Sequence, residues 1–235
     1  MKKSRLGAII TSIAIIAVLT IGITLALLSA TTDTKVNAFS SNKDIDIALR
    51  EEAWDGYKFE DTNPGNGTIA KEDHEDDMTL GVNMAKNYLP GQIIPKNPKV
   101  SNTGAQDGVD AYVAIRVRYY SVAENGEKTQ MTCDAFKAAY LEESINFSNE
   151  WAEIQTSSDD QKDQVFLYGT ADKGTVLAKD GKTNALFDEV KLSTELTPDE
   201  TGKLPGFAIE VQAFAIQSDN VTDVTTTMLD FVNAN

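Results

Sequence analysis

The most regular stretch of the chain alternates apolar and polar positions with a period of two. Ala111, Val113, Ile115, Val117 and Tyr119 fall on one side of an extended segment, with Arg116 and Arg118 on the other. Successive side chains of a strand point to opposite faces, so this pattern predicts one face in the core and one in water. Residues 44–50 follow the same rule, with Ile45, Ile47 and Leu49 aligned and mostly charged residues between them. They read as a second half-buried strand. Further strands are expected at 145–147, 151–154, 164–168, around 186–192 and over 207–216. Residues 92–100 are also extended, but Pro95 and Pro98 lack a donor N–H, which assigns the segment to a sheet edge or to bulges. Residues 133–143 break the pattern, because Phe136, Ala139 and Tyr140 sit at helical spacing. Residues 55–80 hold Pro64, Gly65, Gly67 and the acidic run 72–77, and read as a long surface loop. The sum is an all-β fold: an antiparallel β-sandwich with a short covering helix.

The N-terminus follows a different logic. Lys2, Lys3 and Arg5 precede an apolar to weakly polar run over 7–28, which closes on Leu28, Ser29 and Ala30. A basic stretch, an apolar stretch and a small-residue end make up a signal peptide. The expected organisation is a signal peptide over 1–30, cut between Ala30 and Thr31, an N-terminal extension over 31–43, and one β-sandwich domain over 44–235. Export to the cell exterior follows from it.

Charge narrows the partners. Removing 1–30 takes away three positive charges and no negative ones, which moves the formal charge from −15 to −18 over 205 residues. Such a surface repels phosphate backbones, so no nucleic-acid partner is expected. Cys133 is the only cysteine, so no internal disulfide is available, and with no basic neighbour it reads as a small apolar residue.

Candidate chemistry is sparse. The segment 61–67 echoes a calcium loop, but Asn66 stands where the sharp-turn glycine belongs. Asp61, Asn63, Glu72, Asp73, Asp76 and Asp77 are therefore weak candidates for calcium, and no other cofactor is expected. His74 is the only histidine, and Met78 occupies the place of the second histidine of a zinc-binding helix. No catalytic residue is assigned. Trp54 and Tyr57 are the aromatic candidates for a carbohydrate- or calcium-binding module, an alternative function.

An ordered set of motifs resembles a known family. Residues 28–34 read Leu-Ser-Ala-Thr-Thr-Asp-Thr and lead to Phe39 and a strand at 45–47. Leu89-Pro90-Gly91-Gln92, Asn102-Thr103-Gly104 and Ala111-Tyr112-Val113 follow, then 186–190 and 213–217. Together these resemble the SipW-dependent exported proteins of Gram-positive bacteria, the group of TasA, camelysin and the BsaA-type matrix proteins, and most closely the BsaA type. The resemblance implies a dedicated signal peptidase as a processing partner, a jelly-roll-like sandwich, and fibre assembly in a biofilm matrix. Camelysin's metalloprotease assignment is the enzymatic alternative it carries, against which the single histidine stands.

Residues 31–43 supply a mechanism for assembly. Val36, Ala38 and Phe39 lie in an otherwise polar tail, and an extended tail can add a strand to a neighbour's open sheet edge. The expected partners are copies of the same chain, with other matrix subunits beside them. The acidic pI of about 4.4 implies that acid or calcium relieves self-repulsion and promotes association.

Overall fold

The computed structural model describes residues 29–31, 45–61, 74, 76–104 and 108–235. Residues 1–28 of the expected signal peptide over 1–30, the expected tail residues Val36, Ala38 and Phe39, and the loop residues Asn63, Glu72 and Asp73 lie outside them.

In chain order the strands are β1 (Ser29–Thr31), β2 (Ile47–Arg50), β3 (Ile93–Pro95), β4 (Lys99–Asn102), β5 (Ala111–Val122), β6 (Lys128–Met131), β7 (Trp151–Gln155), β8 (Gln164–Tyr168), β9 (Glu189–Lys191) and β10 (Gly206–Gln217). The helices are α1 (Glu52–Asp55), α2 (Gly81–Lys86), α3 (Cys133–Tyr140) and α4 (Val224–Ala234). The fold is β-rich, every strand pair is antiparallel, and helices are few.

The large sheet runs β1-β10-β5-β8-β7, with β6 also on β5. β5 and β10 pair over their full twelve-residue lengths and form its spine. The alternation read from 111–119 is seen directly: Val113, Ile115, Val117 and Tyr119 are fully buried in the main core. That core also takes Ile47 and Val100 from the β2-β4 pair, and Ile94 and Val190 from the β3-β9 pair. The two prolines divide the expected 92–100 strand in two; each half has one partner strand, and β4 is also bridged to residues 181–183 on its other side. α3 begins where expected and buries Phe136 and Tyr140, but Ala139 faces solvent.

Three expectations are corrected. The second face of β5 meets water only in part: Arg118 stays half-exposed, but α4 covers the middle of the face, and Ala114, Val165, Leu167, Phe214 and Ile216 pack with Val224, Met228 and Val232 in a second core. Arg116 on that face is 4 % exposed, and its guanidinium donates to Val232 O at 3.1 Å and to Gln212. Residues 145–147 form no strand, although Ile145 and Phe147 still pack on the main core. Within the expected loop over 55–80, Tyr57 and Leu80 are buried, and the helix α2 follows at its end.

Candidate functional site: the open edge of β10

β10 is paired on its two sides very unequally. One side meets β5 from end to end. Among the described residues the other is paired with β1, with Ser29 opposite Ile216, Ala30 opposite Ala215 and Thr31 opposite Phe214. Among the described residues nothing pairs with that side over 206–213. Backbone N–H and C=O groups along such an edge are a template for another strand. The residues flanking the expected leader cut, Ala30 and Thr31, thus lie on the edge strand itself.

A cavity of about 360 Å³ opens beside the free end of this edge. Phe207 and Ile209 of β10 form one wall, and Trp54, Tyr88, Ile94 and Leu192 form much of the rest. Tyr88 is anchored by donating to Pro205 O at 2.5 Å, and its ring lies 5.3 Å from Phe207. Burial pushes its hydroxyl up to about 12, so it stays a neutral donor. α2 closes the far side, and Gly81 is what allows it: a methyl there would sit 2.1 Å from Pro95 O and 2.6 Å from the Trp54 ring. Two cations border the cavity. Lys86 donates to Asn83 Oδ1 at 3.0 Å. Lys96 is buried, 2.7 Å from Glu51 Oε1 and 4.9 Å from the Trp54 ring centre.

Asp55 stands behind this wall, 3 % exposed, with Oδ1 accepting from Tyr57 N at 3.0 Å. Burial raises its carboxyl from 3.8 to about 6; the Tyr57 N–H pulls it down, Glu51 pushes it up, and Lys96 and Arg50 pull it down. The folded state thus holds a proton that the unfolded chain releases near pH 4. Stability therefore falls as pH rises from about 4 to about 6 and is level above that, by an amount of up to about 3 kcal/mol. Asp55→Asn keeps an acceptor for Tyr57 N without the charge. It is expected to raise stability at neutral pH by about 1–3 kcal/mol and to flatten this decline. Urea unfolding at the two ends of that range measures both effects.

Of the remaining sequence candidates, Asp61, Asp76 and Asp77 are among the described residues. Asp61 Oδ2 accepts from Lys58 N at 2.7 Å. Asp77 Oδ1 accepts from Thr79 N and Oγ1, at 2.9 and 2.6 Å, and Asp76 is exposed. Among the described residues no group of three or more His, Cys, Asp or Glu side chains could hold a metal. His74 sits in a turn, its carbonyl accepting from Asp77 N. Tyr57 is 8 % exposed and Trp54 half-buried in the cavity wall, so the pair offers no exposed aromatic platform. Burial raises the Cys133 thiol, which keeps it protonated.

The cavity and its lysines had no signal in the sequence, because Trp54, Tyr88, Lys96 and Phe207 are scattered along the chain. The edge had a partial one, since 207–216 reads as a strand while its unequal pairing does not. No protein-family model, curated protein or solved structure matches this chain.

Proposed function

We propose that the protein is a secreted structural subunit of a Gram-positive biofilm matrix, one that assembles by adding a strand from one copy to the β10 edge of the next. It has no catalytic role in this reading. Its body is a jelly-roll-like sandwich, with the large sheet as one layer and the small β2-β4 and β3-β9 sheets as the other. The signal peptidase that cuts between Ala30 and Thr31 frees the tail.

One observation carries the reading: among the described residues, β10 has a full-length partner on one side and Ser29–Thr31 alone on the other. A cut after Ala30 removes two of those three residues and widens the open edge. An unpaired edge beside an apolar cavity favours strand addition, in which backbone hydrogen bonds supply affinity and pockets select side chains. Contacts between two different surfaces of one chain extend into filaments.

The test compares mature protein beginning at Thr31 with protein beginning at Lys43. Negative-stain microscopy and size-exclusion chromatography are expected to show filaments from the first and monomers from the second. Equal filament formation by both sinks the mechanism; casein cleavage lost on His74→Ala would transfer the reading to the metalloprotease.

A further inference from the structure

We propose that the cavity walled by Phe207 and Ile209 binds a small amphiphilic carboxylate, with its apolar chain against those two residues and its carboxylate at Lys86. This goes beyond the assembly reading and does not depend on it.

The apolar half of the ligand follows from the walls. Phe207 and Ile209 lie two apart on β10 and so share a face. With Trp54, Ile94 and Leu192 they surround the cavity with hydrocarbon. Its volume of about 360 Å³ falls within the range of small-molecule sites, about 300–1,000 Å³. The walls are also held in place without a ligand. Tyr88 is tied to Pro205 O, and the Phe207 ring stacks on Tyr140 with centres 4.8 Å apart. α2 is seated against Pro95 and Trp54 by the close approach at Gly81. A site built in advance loses little freedom on binding.

The anionic half follows from charge. The chain carries 36 Asp and Glu against 21 Lys and Arg. Among the described residues that line the cavity, however, the charged ones are Lys86 and Lys96. The acidic balance of the protein is reversed at this one place. The two lysines differ in availability. Lys96 is buried, and its ammonium is already answered by Glu51 and by the face of Trp54. Lys86 is exposed at the end of α2, which puts it at the mouth, and it donates to the neutral Asn83 Oδ1 at 3.0 Å. Asn83 is itself buried and fixed, its amide donating to Asp77 O at 2.8 Å. Lys86 is thereby positioned without being neutralised. An ammonium has three donors, so it can meet a carboxylate and keep the bond to Asn83. Hydrocarbon inside and a held cation at the mouth select an apolar anion. A cationic head would face Lys86 with like charge, and a neutral one would forgo the ion pair.

Quenching of tryptophan fluorescence by ω-bromooctanoate tests this in the full chain. Trp54 and Trp151 are the two tryptophans; Trp54 lines the cavity, and Trp151 is buried away from it against Tyr168. Saturable quenching is expected, with a dissociation constant of about 0.1–1 mM. Trp54→Phe is expected to abolish it, and Ala85→Phe, which fills the cavity from α2, is expected to prevent binding. Lys86→Gln is expected to weaken the acid about two- to fivefold and to leave ω-bromooctanol unchanged. Quenching that persists in Trp54→Phe overturns the site. Equal binding of acid and alcohol, or an unchanged affinity in Lys86→Gln, overturns the carboxylate at Lys86. No saturable quenching up to about 10 mM overturns the proposal as a whole. Filament formation is scored separately, so each of these results leaves the assembly reading where its own test puts it.

Discussion

Met228→Asp is expected to unfold the protein, and Met228→Ala to cost about 2–5 kcal/mol. Met228 is fully buried at the centre of α4, between Val224 and Val232, one helical turn away on either side. These three residues cover Ala114, Val165, Leu167, Phe214 and Ile216. The helix has an anchored start, because Asp223 accepts from both the backbone N–H and the hydroxyl of Thr226. Arg116 reaches this layer but is already bonded to Val232 O and Gln212 and paired with Asp163, so a carboxylate buried at 228 gains no free partner and costs several kcal/mol. That approaches the whole stability of about 5–15 kcal/mol for a domain. Asp230, exposed on the same helix, is the control, and its replacement by Ala is expected to stay within about 0.5 kcal/mol. Urea unfolding followed by near-ultraviolet circular dichroism gives the comparison. A Met228→Asp protein with a native spectrum and an unchanged midpoint would mean that α4 does not seal the sheet.

α4 also marks where the sequence was least legible. Its buried positions, Val224, Met228 and Val232, are separated by three threonines and by Leu229, Asp230 and Phe231, so the fully buried stripe is narrow. Arg116 compounds the problem. A strand reading puts an arginine on the wet face, yet here its charge is covered by a helix and satisfied by a helix-terminal carbonyl. By contrast, the Val113 to Tyr119 alternation was fully legible, because the main-core face of β5 accepts only apolar side chains. Strands 151–155 and 164–168 were legible too, since β-branched and aromatic residues crowd them. Residues 145–147 have the same composition but sit in an irregular segment, where tertiary packing of Phe147 between Phe166 and Phe187 decides the outcome. Of the candidate site, the strand was readable and its surroundings were not. Edge status depends on which strands pair, and the cavity depends on α2 approaching Pro95 through Gly81.

The second large effect lies at Asp163, where replacement by Ala is expected to cost about 3–5 kcal/mol at neutral pH. Its carboxylate accepts two bonds of 3.0 Å from Arg118 Nε and one of 2.6 Å from Gln130 Nε2, and lies 2.9 Å from Arg118 Nη2. Arg116 Nε sits 3.6 Å away, an ion-pair contact too long for a hydrogen bond, and this nitrogen is buried with no other partner. Removing Asp163 leaves the Arg116 charge in the interior between β5 and α4 with only Gln212, Val232 O and the Phe214 ring to face it. Burial alone would raise the Asp163 carboxyl, but the hydrogen bonds from Arg118 and Gln130 and the charges of both arginines hold it below the usual range. A depressed folded value means that its stabilisation is complete above the unfolded value, about pH 4, and is lost as pH falls through the folded one. The gap between the original protein and Asp163→Ala is thus expected to be widest near pH 7 and to narrow below about pH 4. This runs opposite to Asp55, whose carboxyl costs stability only above that range. Asp163→Asn, which keeps acceptor geometry and loses the charge, is expected to recover part of the loss at neutral pH. Urea titrations of all three proteins across that range decide it: a gap that stays constant with pH would assign Asp163 a packing role in place of an electrostatic one.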